Sequence, residues 1–379
     1  MSAHRMRVLR GAPAARGALV ALVALVGWVT LSATFAPASA RAQDADAAPS
    51  GATAQYKIVT ASERGTYIQI GRDLAKLVAP AAQIDLEVLP SAGSAENVER
   101  LRYEAGVKLA MVQSDVYQAF IDLAAAGHAD AGQLIKPLRV VMPLYNEEIY
   151  FVARADSPLN YIHEIKDAKI NVGPLRSGTA MTATTLYRQM FGVASPEGST
   201  SFLTNEEALI KLTGDKSVDV VVIVAGQPAK LLADMKPEAR ELIKLLKVDR
   251  NNPATRTALK TYFAATVRAS SYPALLAEDV PALAVKAFLV TYDYRVASTT
   301  SHLRAFAQSL CRNFGQLRSQ GHPKWQEVEL KLPELGQRWS YSPITERTLR
   351  SCAAESAAPP KVKTDKPCAQ TERVLGLCS

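Results

Sequence analysis

From Tyr56 onward the chain switches regularly between two apolar periods, and this alternation constrains the fold more than any other feature. Tyr56-Lys57-Ile58-Val59-Thr60 reads as a strand. Ile70, Leu74, Leu77 and Val78 then fall at i, i+4, i+7 and i+8, the stripe of a helix that stops at Pro80. Residues 84–89 read as a second strand, and Ser94 is placed to N-cap a helix with Asn97 three positions on. Residues 108–113 form a third strand pattern and 114–126 a further helix. Strand and helix at this spacing imply right-handed βαβ units in a parallel sheet.

Residues 138–144 and 148–154 read as two strands set close together, where the chain passes to a second lobe. There the alternation begins again: a short helix at 162–167, a strand at 169–172, the turn 173–179 and a helix at 180–190. Helix at 205–212, buried strand at 218–224, helix at 228–235 and strand at 241–248 follow. The chain is expected to return near Tyr262–Arg268, with a strand at 285–291 and a long helix at 302–318. The fold class is therefore α/β, two lobes joined by two crossings, each lobe a mostly parallel sheet flanked by helices with a ligand cleft between them. This is the architecture of a hinged binding protein, which periodicity alone does not separate from an enzyme. Residues 56–143 with 269–351 are assigned to lobe 1, and 144–268 to lobe 2.

Charge becomes informative once it is located. The 379 residues carry 44 Lys and Arg against 36 Asp and Glu, a formal +8. Such a balance ordinarily points to a polyanionic partner. Five of the positive residues, Arg5, Arg7, Arg10, Arg16 and Arg41, lie in the first 42 positions, before any acid. The stretch from Gly17 to Ala40 has no charge, and Ala38-Ser39-Ala40 and Ala40-Arg41-Ala42 are small-x-small ends. Residues 1–42 thus read as a secretory signal peptide, cleaved before Gln43, with an uncleaved anchor as the alternative. Residues 43–55 read as an Ala- and Pro-rich linker. Cleavage leaves the mature chain at +3, which removes the argument for nucleic acid. The rest contains no apolar run long enough to span a bilayer, so a soluble mature protein in an oxidising extracytoplasmic space is expected.

Export also frames the cysteines. Cys311, Cys352, Cys368 and Cys378 all lie in the last 69 residues, an even number in an oxidising compartment. Of three connectivities, Cys311–Cys352 with Cys368–Cys378 is favoured. That pairing staples a tail at 352–379. Metal binding is the rival, but no C-x-x-C pair and no intervening histidine supports it. No metal or cofactor is expected.

Catalytic signatures are missing. The sequence has no G-x-x-x-x-G-K-[ST], no G-x-S-x-G, no G-x-G-x-x-G and no H-E-x-x-H. What recurs instead is small polar residues in the turns after the parallel strands, the edge where open α/β sheets bind ligands. These are Gly65-Thr66-Tyr67, Ser91-Ala92-Gly93-Ser94, Gln113-Ser114-Asp115 and Ser177-Gly178-Thr179. Glycine admits close approach, hydroxyls donate, and helix N-termini offer unpaired N–H groups, so together they suit a small carboxylate. The plainer reading of each turn is a helix cap. Arg64 and Arg176 lie in two of the turns, either as forks for a carboxylate or as solvated rim residues. Asp115 either recognises an ammonium group or caps its helix. Tyr67, Tyr145 and Tyr150 supply an aromatic wall or pack the core.

These segments carry a further pattern. Ile58-Val59-Thr60, Gly65-Thr66-Tyr67, Gly71, Ser91-Ala92-Gly93-Ser94-Ala95-Glu96-Asn97 and Met111-Val112-Gln113-Ser114-Asp115, with Asn171-Val172-Gly173, Ser177-Gly178-Thr179 and Val224-Ala225-Gly226-Gln227-Pro228, resemble the TAXI family. Members of that family are the solute-binding subunits of tripartite ATP-independent periplasmic (TRAP) transporters. The resemblance runs from about Tyr56 to Tyr341. It implies a non-enzymatic receptor that closes on an organic acid or amino acid and delivers it to an ion-gradient-driven permease. It also places Asn97, Ala225 and Gly226 with the turns along the cleft. Glu63-Arg64 and Leu175-Arg176 depart from the small residues usual there. A receptor serving a sensor or an ATP-driven importer, or an exported enzyme on the same lobes, are the alternatives.

Overall fold

The computed structural model describes residues 53–63, 65–336 and 339–357. The signal segment, most of the linker, Arg64, Cys368, Cys378 and the tail from residue 358 lie outside the described residues.

The first run of elements is β1 (Ala54–Val59), α1 (Thr66–Leu77), β2 (Ile84–Leu89), α2 (Ser94–Tyr103), β3 (Val107–Gln113), α3 (Val116–Ala125) and α4 (Ala129–Ile135). β1 pairs in parallel with β2 on one side and β3 on the other. The apolar stripe of α1 is buried through Ile70 and Leu74. A Cβ on Gly71 would come within 2.9 Å of side chains on both β1's end and β2, so only glycine lets α1 lie this close to the sheet.

Next comes β4 (Leu138–Arg154), a single strand of 17 residues. The two separate strands expected here are one, although Asn146, Glu147 and Glu148 interrupt its apolar pattern. β5 (Ile170–Asn171), α5 (Gly178–Phe191), β6 (Thr200–Ser201), α6 (Asn205–Thr213) and β7 (Val220–Ala225) build a second parallel set, β6-β5-β7. α7 (Lys230–Ala233), α8 (Ala239–Leu242), β8 (Ile243–Leu245), α9 (Pro253–Ala258) and β9 (Phe263–Val267) complete it. The strand expected at 241–248 is thus a helical turn followed by three residues paired to β4.

β10 (Val280–Tyr292) runs back along β4, and α10 (Ala297–Gln320) and α11 (Glu346–Ala357) finish the chain. The segment 263–267, expected to carry the return, is β9, which pairs with β10 at 280–284. The full order is β2-β1-β3-β10-β4-β7-β5-β6. The outer sets are parallel, whereas β3–β10, β10–β4 and β4–β7 are antiparallel.

β4 and β10 therefore pass together through both halves of the molecule. Their register shifts midway: Lys286 faces Asn146 but Phe288 faces Pro143. Leu144 and Tyr145 thus oppose the single residue Ala287, a bulge that bends the ladder at the waist. On one side of the waist β10 pairs with β3, and on the other β4 pairs with β7. Each half has two apolar layers, one per sheet face. Ile58, Leu74, Leu310 and Trp325 pack in one layer of the first half, and Val112, Phe120, Phe288 and Trp339 in the other. In the second half, Ile149, Phe151 and Leu186 fill one layer and Tyr150, Val152 and Ile223 the other. Alternate residues of β4 feed opposite faces, as a strand buried on both sides requires. Cys311 of α10 and Cys352 of α11 form a disulfide with a Cα–Cα distance of 6.0 Å.

Candidate functional site

A cleft of about 1230 Å³ opens between the two halves, at the ends of the parallel strands. From the first half it is lined by Gly65, Thr66, Tyr67, Gly93, Ser94 and Gln113, and from the second by Ser177, Gly178, Thr179, Ala225 and Gly226. Of the four turns singled out in the sequence, two reach it whole, and two in part, through Ala92, Gly93 and Ser94 and through Gln113.

Their backbones explain why small residues stand there. α1 and α2 begin after Gly65 and Gly93, and neither helix has a side-chain cap. Ser94 is not the cap expected of it. Its hydroxyl accepts from the Gln113 N–H at 3.1 Å and lies 3.2 Å from Gln113 Oε1. Only α5 follows the capping reading, with Ser177 Oγ accepting from the Ala180 N–H at 3.0 Å. Gly93 has φ 131° and ψ −155°, a region essentially restricted to glycine. A Cβ there would lie 2.8 Å from the Gly178 nitrogen, and a Cβ on Gly178 would lie 2.0 Å from Gln113 Oε1. The turns of the two halves thus meet back to back at this end of the cleft.

Other candidates hold the walls rather than line them. Ser91 Oγ accepts from the Gly93 N–H at 3.0 Å and bonds Asn97 Oδ1 at 2.6 Å. Asn97 Nδ2 donates to Thr60 and Met111 carbonyls, both at 2.6 Å, joining the ends of β1 and β3. Ser114 accepts from and donates to the backbone of Lys286, fastening β3 to the waist. Asp115 is fully buried, and the Tyr262 hydroxyl from the second half donates to its Oδ2 at 3.1 Å. Burial pushes its carboxyl up to about 6, against the opposing pull of Thr182 and Tyr262. Arg176 does not line the cleft. It has φ 65°, is largely exposed and pairs with Glu99 of the first half. Arg188 pairs likewise with Asp122, so two ion pairs bridge the halves outside the cleft. Tyr67 lines the cleft, Tyr145 is buried beneath it, and Tyr150 bonds the Tyr272 hydroxyl at 2.7 Å in the core.

The structure adds residues that the sequence reading missed. Glu147, Gln227, Arg268, Lys324 and Glu327 also line the cleft. The Glu147 Oε2 accepts from the Tyr67 hydroxyl at 2.7 Å. Burial raises Glu147 to about 8, with Tyr67 and Lys324 pulling downward. Glu148, raised chiefly by burial, accepts from the Gln227 N–H at 3.0 Å. Lys324 Nζ donates to Glu327 Oε2 at 2.7 Å and lies 5.5 Å from the centre of the Tyr145 ring. Its segment is held by Asp73, whose Oδ2 accepts from the His322 N–H at 2.7 Å and from Trp325 Nε1 at 2.9 Å. In the sequence the acid pair Glu147-Glu148 sits between two apolar runs and reads as part of the junction between them; its burial becomes visible only once 138–154 is seen as one strand. Nothing in Pro323-Lys324-Trp325 marks it as part of a cleft.

Two α/β halves joined by two crossing strands, with a cleft at the ends of their parallel strands, define a two-lobed fold of the periplasmic-binding-protein type. The chain belongs to the NMT1-like family, whose model matches residues 58–319. Similar solved structures include PhnD1 from Prochlorococcus marinus in complex with methylphosphonate, at 10% identity and a TM-score of 0.45, covering 80% of this chain and 98% of that one. The periplasmic binding protein BugD has 13% identity and a TM-score of 0.44 over 79% and 94% of the two chains. XAC2383 from Xanthomonas citri bound to ATP has 12% identity and a TM-score of 0.42 over 79% and 96%. Among the described residues, no helix is long and apolar enough to cross a membrane, and no cluster of His, Cys, Asp and Glu is arranged to hold a metal ion.

Proposed function

We propose that the protein is an extracytoplasmic solute receptor that captures a small carboxylate-bearing metabolite for an ion-gradient-driven TRAP permease. One observation carries the reading. The first turns of α1, α2 and α5 converge on one cleft, and two of these helices leave their leading N–H groups without a side-chain cap. Uncapped N–H groups and the positive ends of helix dipoles favour an anionic group. Contacts from both lobes would hold the closed form, so ligand shifts an open–closed equilibrium. The hydroxyls of Ser94 and Ser177 are engaged by Gln113 and by backbone, which fits binding without covalent chemistry. The Cys311–Cys352 bridge fits an oxidising compartment and hence the export signal read at 1–42. The assignment to a TRAP permease rests on the TAXI resemblance.

A thermal-shift screen of dicarboxylates, keto acids, hydroxy acids and amino acids tests the reading. A native-state binder raises the melting temperature. Absence of any shift across the panel overturns the receptor reading, and chemical conversion of a bound compound overturns the non-enzymatic one. Adjacent reading frames for TRAP membrane subunits are expected; ATP-binding cassette subunits in their place would reassign the partner.

A further inference from the structure

Glu147 lies on β4 beside the waist, 5% exposed, yet it forms part of the cleft wall. Among the described residues that line the cleft, Lys324 is the buried cation, and its ammonium is committed to Glu327. No described cation lies within 4.0 Å of the Glu147 carboxyl, whose bonded partner is the Tyr67 hydroxyl. A carboxyl out of water is costly to ionise without a counter-charge. A neutral donor at this place would need only an amide, and Gln113 and Gln227 already bring amides to the same cleft. Both Tyr67 and Lys324 favour the ionised form of Glu147. The position is thus prepared for a negative charge whose partner must come from the ligand.

We propose that Glu147 receives a protonated nitrogen of the solute, so that the ligand carries an ammonium group as well as a carboxylate. This inference rests on the receptor reading above. The carboxylate is met by the uncapped N–H groups leading α1 and α2, and the ammonium by Glu147, which makes Glu147 a specificity-determining residue. The ammonium role that the sequence suggested for Asp115 passes to Glu147, because Asp115 is closed off against Tyr262.

The groups acting on Glu147 are Tyr67, Tyr145, Lys324, Glu148 and Asp115. Burial holds its carboxyl up to about 8, so ligand-free protein keeps this proton at pH 7. When an ammonium docks, the carboxyl ionises and its proton passes to the buffer.

The purified protein is titrated calorimetrically with L-amino acids and with the 2-hydroxy and 2-oxo acids bearing the same side chains, at pH 7 in two buffers of different ionisation enthalpy. The amine is expected to bind at least about tenfold tighter than its matched partners, as a charge-assisted hydrogen bond implies. Its binding is expected to release about one proton. Glu147→Gln is expected to abolish both the preference and the proton release while still binding the hydroxy acid. Equal affinities across matched compounds, or a preference unchanged in Glu147→Gln, overturn the inference and leave the receptor reading standing. Failure of every compound to bind overturns both. Should Glu147→Gln not fold, the matched affinities and proton count of the unaltered protein decide.

Discussion

At the scale of single residues, two positions in the cleft are fixed by opposite kinds of constraint, one steric and one electrostatic. Gly93 is held at φ 131° with the Gly178 nitrogen where its Cβ would be. Gly93→Ala is expected to destabilise the fold by about 1–3 kcal/mol through backbone strain, measured by urea unfolding. It should also weaken ligand binding, because the two turns can then no longer meet. Glu147 constrains through its proton. Unfolded, it ionises at the ordinary carboxylate pH; folded, it holds its proton to about 8. Between those values the native state binds more protons than the unfolded state, so stability falls as pH rises through the window. Asp115, raised to about 6, acts in the same direction over the lower part of it. Melting temperatures followed from pH 5 to about 8.5 should decline in the native protein and decline less in Glu147→Gln. An equal slope in the two would remove Glu147 as the cause.

At the scale of elements, α10 and α11 are joined by the Cys311–Cys352 bridge across a sequence separation of 41 residues. Closing a loop of that length restricts the unfolded chain, so Cys352→Ser is expected to cost about 2–4 kcal/mol by denaturant unfolding. Neither cysteine lines the cleft, and ligand affinity should hold. What the sequence disclosed about the elements follows the same physics. The turns were legible because each combines a strand's end, a glycine and a helix start within a few residues. β4 was not. Pro143 and the run Asn146-Glu147-Glu148 break its apolar pattern, and the reasons for those residues, a bulge and a cleft wall, exist only in three dimensions. Lys324 was illegible for a related reason: Asp73, some 250 positions away in sequence, holds its segment in place.

At the scale of the whole molecule, the two halves are tied outside the cleft by the pairs Glu99–Arg176 and Asp122–Arg188. Arg176 illustrates how a charge inside a ligand turn misleads, since the sequence places it correctly in the chain but cannot say which way it faces. A direct carboxylate fork would cost about 1.5–3 kcal/mol on truncation. An exposed pair is worth about 0–1 kcal/mol, so Arg176→Ala is expected to change ligand affinity by no more than about fivefold in a calorimetric titration. A larger loss would return Arg176 to the binding site.

The ladder shared by β4 and β10 has a mechanical consequence. Pairing continues on both sides of the bulge, from Leu283–Ile149 to Tyr292–Leu138, so the waist is a pair of bonded ribbons and not a free swivel. Such a joint is a flexure: it bends by distributing small torsions over adjoining peptides and pushes back when bent. The angle between the halves then has a built-in rest position, and the work of departing from it is one of the terms that sets how long a captured solute is retained.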